Sequence, residues 1–149
     1  IGKGLYNNID TWIHFIPYSE SSGLSEYGGL LRWCFWQAKF FPGTFSLVAH
    51  GNASNITNTF SSQSAGADLV TGINMGSIGL YLGGGKIYST GRFLGGARGV
   101  TDTLKDETVS VDGFHSVIGG TLRLQSLFGA VQIDLFTQPI FSTKFGIRF

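Results

Sequence analysis

The sequence has few charged residues, one cysteine and no long apolar run. Charged side chains make up 13% of the 149 residues, against about 25% in soluble domains, so a water-exposed surface of this composition would be poorly soluble. The single Cys34 excludes an internal disulfide and fits no metal-binding motif. No stretch approaches the roughly 18 consecutive apolar residues of a transmembrane helix. The formal net charge is +1 without a basic cluster, so no nucleic-acid partner is expected.

The main pattern in the sequence is an alternation of apolar and polar residues. Apolar and polar residues alternate with a period of two in segments of roughly ten residues, separated by turn signals, and no helical period of useful length occurs. A chain of this kind can still cross a bilayer as a closed β-barrel, which satisfies its backbone hydrogen bonds internally. We therefore predict an all-β fold, an eight-stranded antiparallel up-and-down transmembrane β-barrel, as a single domain over 1–149. The predicted strands lie near Leu5–Tyr18, Glu26–Phe41, Thr44–Ala53, Ser64–Ile73, Ser77–Tyr88, Phe114–Gln125, Phe128–Phe136 and Gln138–Phe149.

In each predicted strand, one set of alternate positions, which we call a frame because its side chains share one face, carries no charge. Such a frame is typical of the lipid-facing side of a membrane barrel wall. The predicted lipid-facing residues are Ile13, Phe15, Leu31, Trp33, Phe35, Leu47, Leu80, Leu82, Leu122, Leu124, Ile133, Phe141, Phe145 and Ile147.

The opposite frame carries the charges. Eight strands enclose a lumen that side chains can fill, so we expect a plugged polar interior in which acids pair with cations. Glycines of this frame, Gly79, Gly83 and Gly85, leave room for large neighbours or mark a bend. No catalytic, cofactor-binding or metal-binding residue is predicted. The predicted interior charge network consists of Asp10, His14, Arg32, His50, Asp68, Arg123, Asp134, Lys144 and Arg148.

The turns at alternate strand ends differ in length. Short turns are predicted at 42–43, 74–76 and 125–127, and longer connections at 19–25, 54–63 and 89–113. Short turns on one side and long loops on the other are typical of outer-membrane barrels. In the longest loop, Arg92 and Arg98 are candidates for surface binding, for example to lipopolysaccharide phosphates.

The C-terminal segment from Pro139 to Phe149 ends in Lys144-Phe145-Gly146-Ile147-Arg148-Phe149, which alternates and finishes on an aromatic residue. It resembles the closing strand of small bacterial outer-membrane β-barrel proteins. This resemblance implies an outer-membrane location with both termini periplasmic, and contacts with outer-membrane lipids and lipopolysaccharide. It also implies that Phe149 is an assembly signal read by the barrel-assembly machinery. No signal peptide precedes the strands, so an exported chain would be in its mature or trimmed form. The expected function is that of a structural or surface-interaction protein, not an enzyme.

Three alternatives remain open. A soluble eight-stranded barrel would bury the apolar frame and expose the charged one. A porin-like homo-oligomeric ring or pore would use the small residues of the uncharged frame for close contact between subunits. A lipid A-modifying enzyme would need a nucleophile and a base within reach; His115 and Ser116 point to opposite faces of a regular strand, and His14 with Ser19 or Glu20 is a looser option.

Overall fold

A computed structural model describes residues 2–4, 8–20, 23–57, 59–95 and 105–147. Strands account for most of these residues, and the described part of the chain has no helix long and apolar enough to cross a membrane. The strands are β1 Gly2–Gly4, β2 Ile9–Ile16, β3 Leu24–Gln37, β4 Gly43–Ile56, β5 Phe60–Met75, β6 Ile78–Phe93, β7 Glu107–Leu124, β8 Leu127–Leu135 and β9 Pro139–Ile147.

The strands form one sheet in chain order from β1 to β9. Strands that are consecutive in the sequence are therefore hydrogen-bonded to each other, which is an up-and-down topology. The register of β7 with β8 places Gly119 opposite Gln132, and that of β8 with β9 places Phe128 opposite Gly146. The predicted fold class, all-β with eight antiparallel up-and-down strands, is confirmed by β2 to β9.

The strand boundaries differ from the prediction in two ways. Strands β4 to β7 have 14 to 18 residues and are longer than predicted, so the connection predicted at 54–63 shrinks to residues 57–59. Polar residues near these strand ends resemble loop residues, but backbone pairing does not require apolar side chains. The first predicted strand, Leu5–Tyr18, corresponds to β2, and the short β1 pairs with it through Lys3 opposite Thr11. Residues 5–7 lie outside the described part.

Two hairpin turns contain only two residues each. Gly76 and Ser77 connect β5 to β6, and Gln125 and Ser126 connect β7 to β8. Gly76 has a φ of 64° and Gln125 a φ of 50°, the left-handed conformation that two-residue hairpin turns require. Glycine adopts it without steric cost, whereas Gln125 adopts it at a small one.

The chain divides into two compact units, which we describe separately. The first comprises Ile1–Leu31, Ala49–Gly66 and Ile87–Gly113, and it contains the connections at 17–23, 57–59 and 94–106. The second comprises Arg32–Val48, Ala67–Lys86 and Phe114–Phe149, and it contains the connections at 38–42, 76–77, 125–126 and 136–138. Most of the exposed large apolar side chains belong to the second unit.

In the second unit, burial alternates along the strands. On β4, Ser46 and Val48 are buried, while Phe45 and Leu47 are exposed. On β7, His115 and Val117 are buried between exposed neighbours. We call the face that carries Ser46, Asp68 and His115 the polar face, and the face that carries Leu47, Leu80 and Leu122 the apolar face. The buried side chains of the described residues thus belong to the polar face.

Candidate functional site

The most buried ionisable groups of the second unit form a three-residue cluster on the polar face. Nε2 of His115 on β7 lies 2.7 Å from Oδ1 of Asp68 on β5, and its Nδ1 lies 3.0 Å from Oδ1 of Asp134 on β8. Asp68 and His115 are only 7% and 8% exposed. The imidazole therefore lies between two carboxylates that come from different strands. We call this group the Asp-His-Asp cluster.

Glycines of β6 create the space for this cluster. Strand β6 lies between β5 and β7, yet Asp68 and His115 meet across it. A Cβ on Gly85 would collide with the backbone of Ala67 and Asp68 and with the Asp68 carboxylate. Gly85 must therefore remain without a side chain for Asp68 to reach His115 in this geometry.

The contacts of His115 couple the protonation states of the three side chains. Ionised carboxylates only accept hydrogen bonds, so if both aspartates are ionised, both ring nitrogens of His115 donate and the ring is an imidazolium. Charge-assisted hydrogen bonds of this type are stronger than neutral ones, and buried charges are tolerated only when they are paired in this way. Both ring nitrogens of His115 face carboxylate oxygens.

A second contact in the same unit also crosses one strand. The hydroxyl of Tyr81 on β6 donates to Oε1 of Gln132 on β8 over a distance of 2.9 Å. The strand between them is β7, and a Cβ on Gly119 would overlap the tyrosine ring. Phe128 similarly covers Gly146, its partner on β9. Tyr81 and Phe128 thus lie over glycines of the next strand. At Gly83 and Gly85, where the sequence predicted room for large neighbours or a bend, an added Cβ would meet Val70 and Asp68 of the preceding strand.

In the first unit, polar side chains connect β2, β3 and β4. Oε1 of Glu26 lies 3.3 Å from Nε2 of His14 and accepts a 3.3 Å hydrogen bond from Nδ2 of Asn52. The His14 ring covers Gly28. The side chain of His14 is 54% exposed, so water screens this pair and its contribution to stability is small.

Hydrogen bonds and an ion pair join the two ends of the connection between β6 and β7. The Asp106 carboxylate accepts hydrogen bonds from the backbone N–H of Gly95 at 2.9 Å and from Nε of Arg92 at 3.0 Å, and it also pairs with Nη2 of Arg92. The Gly95 N–H and then the Arg92 guanidinium lower the pKa of Asp106 below its usual range. Arg92, predicted as a surface-binding residue, is therefore already paired with a carboxylate. Arg98, the other candidate, lies outside the described residues.

Members of the predicted interior network form contacts within each unit. Asp68 and Asp134 meet at His115 in the second unit, and His14 pairs with Glu26 in the first. Arg148 lies outside the described residues. Of the remaining members, Asp10 and His50 are half-buried, whereas Arg32, Arg123 and Lys144 are exposed.

The predicted lipid-facing residues form the exposed apolar surface of the strands. All of them except the half-buried Ile133 are between 45% and 82% exposed. Phe149, the predicted assembly signal, lies outside the described residues. The exposed members are Ile13, Phe15, Leu31, Trp33, Phe35, Leu47, Leu80, Leu82, Leu122, Leu124, Phe141, Phe145 and Ile147.

Two ionisable residues that form ion pairs with members of the predicted network, His115 and Glu26, are themselves absent from it. His115 shares its frame with Arg123 on the same strand, and this period-two relation is the signal that assigns it to the charged face. Glu26 lies at the start of a predicted strand, where no alternation precedes it. His115 is buried and Ser116 is exposed, as expected for adjacent positions of a regular strand.

Comparisons with known proteins give no match: no protein-family model, no curated protein and no solved structure is significantly similar to this chain. A functional assignment therefore depends on the residues and their geometry.

Proposed function

We propose that this chain forms the wall of a bacterial outer-membrane β-barrel that acts as a structural or surface-interaction protein. In this proposal the apolar face contacts the hydrocarbon of the bilayer, and the polar face, with its Asp-His-Asp cluster, lines a plugged interior. Its partners are then outer-membrane lipids, lipopolysaccharide and the barrel-assembly machinery, and both termini are periplasmic.

A single observation carries the proposal: the sheet exposes large apolar side chains and buries two ionisable groups, Asp68 and His115. Leu80 and Leu122 are 53% and 46% exposed, whereas Asp68 and His115 are nearly inaccessible. A soluble protein rarely exposes contiguous apolar patches beyond a few hundred Å². The soluble alternative requires the reverse arrangement, with leucines buried and aspartates in water.

Strand length also supports a membrane location. A tilted strand crosses a bilayer with about 9 to 11 residues. Strands β2, β8 and β9 have 8 or 9 residues, and β3 to β7 have 14 to 18. The longer strands therefore extend beyond the hydrocarbon, where polar residues are tolerated on both faces.

Membrane insertion provides the test. The chain is refolded into lipid vesicles, and flotation and the gel mobility of boiled and unboiled samples are measured. We expect flotation with the vesicles and a mobility shift on boiling. A chain that stays soluble without detergent and shows no shift would contradict the proposal.

A pair of variants on adjacent positions adds a matched control. Leu122→Arg places a charge on the apolar face of β7 and should destabilise the inserted state by roughly 2 to 4 kcal/mol near the midplane of the bilayer. Thr121→Ser changes a half-buried residue of the polar face and should have little effect. Equal stability of the two variants in vesicles would refute the lipid-facing assignment.

A homo-oligomeric ring or pore is the second candidate. Gly120 and Gly129 belong to the uncharged frame, and a Cβ on either would meet its nearest neighbour at 3.5 to 3.6 Å, an ordinary contact. Packing within the chain therefore requires glycine at position 85 but not at positions 120 and 129. Close approach of a second subunit would require glycine at positions 120 and 129. Native mass spectrometry in nanodiscs and bilayer conductance together distinguish a single structural barrel from an oligomeric pore. A monomer that does not conduct ions excludes the pore.

A further inference from the structure

Two cavities of the first unit adjoin each other along strands β2 to β5. Their volumes are about 670 Å³ and about 440 Å³, and volumes of roughly 300 to 1,000 Å³ are typical of small-molecule sites. Ile13, Gly29 and Gly51 line both cavities. The two therefore form one continuous groove, which we call the first-unit groove. Among the described residues, its lining is separate from the Asp-His-Asp cluster and from the loop around Asp106.

The side chains that shape this groove belong to one face of the sheet, the face of the uncharged frame. On the opposite face, Nε2 of His14 lies 3.3 Å from Oε1 of Glu26. The hydroxyl oxygens of Ser54 and Ser62 lie 2.7 Å apart on that opposite face. Neither His14 nor Glu26 lines the groove, whereas Ile13, beside His14, does. Successive side chains of a strand point to opposite faces, so lining residues of the charged frame border the groove through their backbone.

The smaller cavity forms an apolar end with a floor of small residues. A Cβ on Gly29 would meet only the backbone oxygen of Trp12, at 3.5 Å, so the space above this glycine is open. Ala49 on the next strand is exposed. Ile13 and Leu31, which are 65% and 45% exposed, border this floor. A shallow channel between aliphatic side chains accommodates a flexible hydrocarbon chain.

The larger cavity forms a polar end on the same face. Asn55 of β4 and Ser61 and Gln63 of β5 supply two carboxamides and a hydroxyl, groups that both donate and accept hydrogen bonds. The described residues that line the groove include no Asp, Glu, Lys or Arg. Tyr27, which is 59% exposed, lies at this end, and tyrosine is enriched where a membrane meets water. The polar end thus has the chemistry of the headgroup level.

The length of the groove matches one lipid molecule. On β4, Ala49 belongs to the apolar end and Asn55 to the polar end. Six residues of strand span about 20 Å at roughly 3.3 Å per residue. One leaflet of a hydrocarbon core of about 30 Å is about 15 Å deep. The groove therefore extends from the headgroup level into one leaflet.

We propose that the first-unit groove binds one membrane lipid, with an acyl chain along its apolar end and a headgroup without net charge at its carboxamide end. The inference deepens the proposed function and rests on it for the position of the groove in the bilayer. A zwitterionic headgroup offers both an ammonium donor and phosphate acceptors, which the carboxamides and hydroxyls match. An anionic headgroup would find no cation among the described lining residues.

Native mass spectrometry of the full chain in detergent micelles tests the proposal. The micelles contain phosphatidylethanolamine or phosphatidylglycerol with identical acyl chains, and the lipids that stay bound when the detergent is removed are counted. We expect one bound phosphatidylethanolamine per chain. It should bind about tenfold more tightly than phosphatidylglycerol, because the anionic headgroup loses hydration without gaining a charged partner.

Ala49→Leu and Ala67→Leu form a matched pair of variants. Both alanines are exposed and belong to the uncharged frame, but Ala49 lines the groove and Ala67 belongs to the second unit. Ala49→Leu fills the apolar end and should weaken lipid binding about tenfold, whereas Ala67→Leu should leave it unchanged. A double variant, Asn55→Ala with Gln63→Ala, removes the carboxamides and should abolish the preference for phosphatidylethanolamine.

Three results would overturn the proposal: a chain that retains no lipid, equal lipid binding by the Ala49→Leu and Ala67→Leu variants, and phosphatidylglycerol that binds as tightly as phosphatidylethanolamine. A dimer that forms in place of the lipid complex and is lost in Ala49→Leu would also overturn it, and would assign the groove to a second copy of the chain. Flotation of the same variants with vesicles reports insertion independently. An inserted chain without bound lipid refutes the lipid site and leaves the barrel proposal intact, whereas a chain that does not insert refutes both.

Discussion

Removal of His115 should be among the most damaging single substitutions in the second unit. In His115→Ala, Asp68 loses a partner at 2.7 Å while remaining 7% exposed. Removing one member of a buried ion pair costs up to about 3 to 5 kcal/mol, because the remaining charge loses part of its compensation. The side chain of Asp134 is 26% exposed, so water replaces part of its lost hydrogen bond. We therefore expect the free energy of unfolding to fall by up to about 3 to 5 kcal/mol, with the larger share at the more buried Asp68.

Denaturant unfolding in lipid vesicles measures this loss, with the three tryptophans of the chain as fluorescent probes. His14→Ala is the matched control, because its pair with Glu26 is exposed and worth about 0 to 1 kcal/mol. A double-mutant cycle with Asp68→Asn then isolates the interaction: groups in contact should deviate from additivity by roughly 0.5 to 3 kcal/mol. The reasoning is refuted if His115→Ala costs no more than His14→Ala, or if the two changes in the cycle simply add.

Three further outcomes follow from local geometry. Gly85→Ala should lower the free energy of unfolding by about 1 to 3 kcal/mol because its Cβ overlaps the neighbouring strand, whereas Gly120→Ala, which has room, should cost less; equal denaturation midpoints would contradict this. Tyr81→Phe removes one hydroxyl hydrogen bond and should cost about 0.5 to 1.5 kcal/mol in the same assay; an unchanged midpoint would show that the bond contributes nothing. The lowered pKa of Asp106 means that its bond to the Gly95 N–H is fully formed above the ordinary aspartate pKa of about 3.9 and is lost only as the pH falls through the lowered value. NMR of the Gly95 amide across this acid range checks it, and Asp106→Asn should abolish the titration; a midpoint above the ordinary value would reverse the sign.

Much of the fold was predictable from local patterns. The alternation along the strands assigned Leu47 and Leu122 to one face and Asp68 to the other, and the glycines of β6 were expected to leave room for large neighbours. These features follow from backbone geometry, since successive side chains of a strand point to opposite faces. The strand ends were less accessible to prediction, because the polar residues at 51–64 look like loop residues in the sequence.

The sequence by itself determined which side chains share a face, because that depends only on odd or even position along a strand. Only the tertiary structure decided which of them meet. Asp68 pairs with His115, a residue 47 positions away, through the register of strands that are not adjacent and through the absence of a side chain at Gly85. Pairing across an intervening strand depends on the twist and spacing of the sheet, which no local pattern encodes.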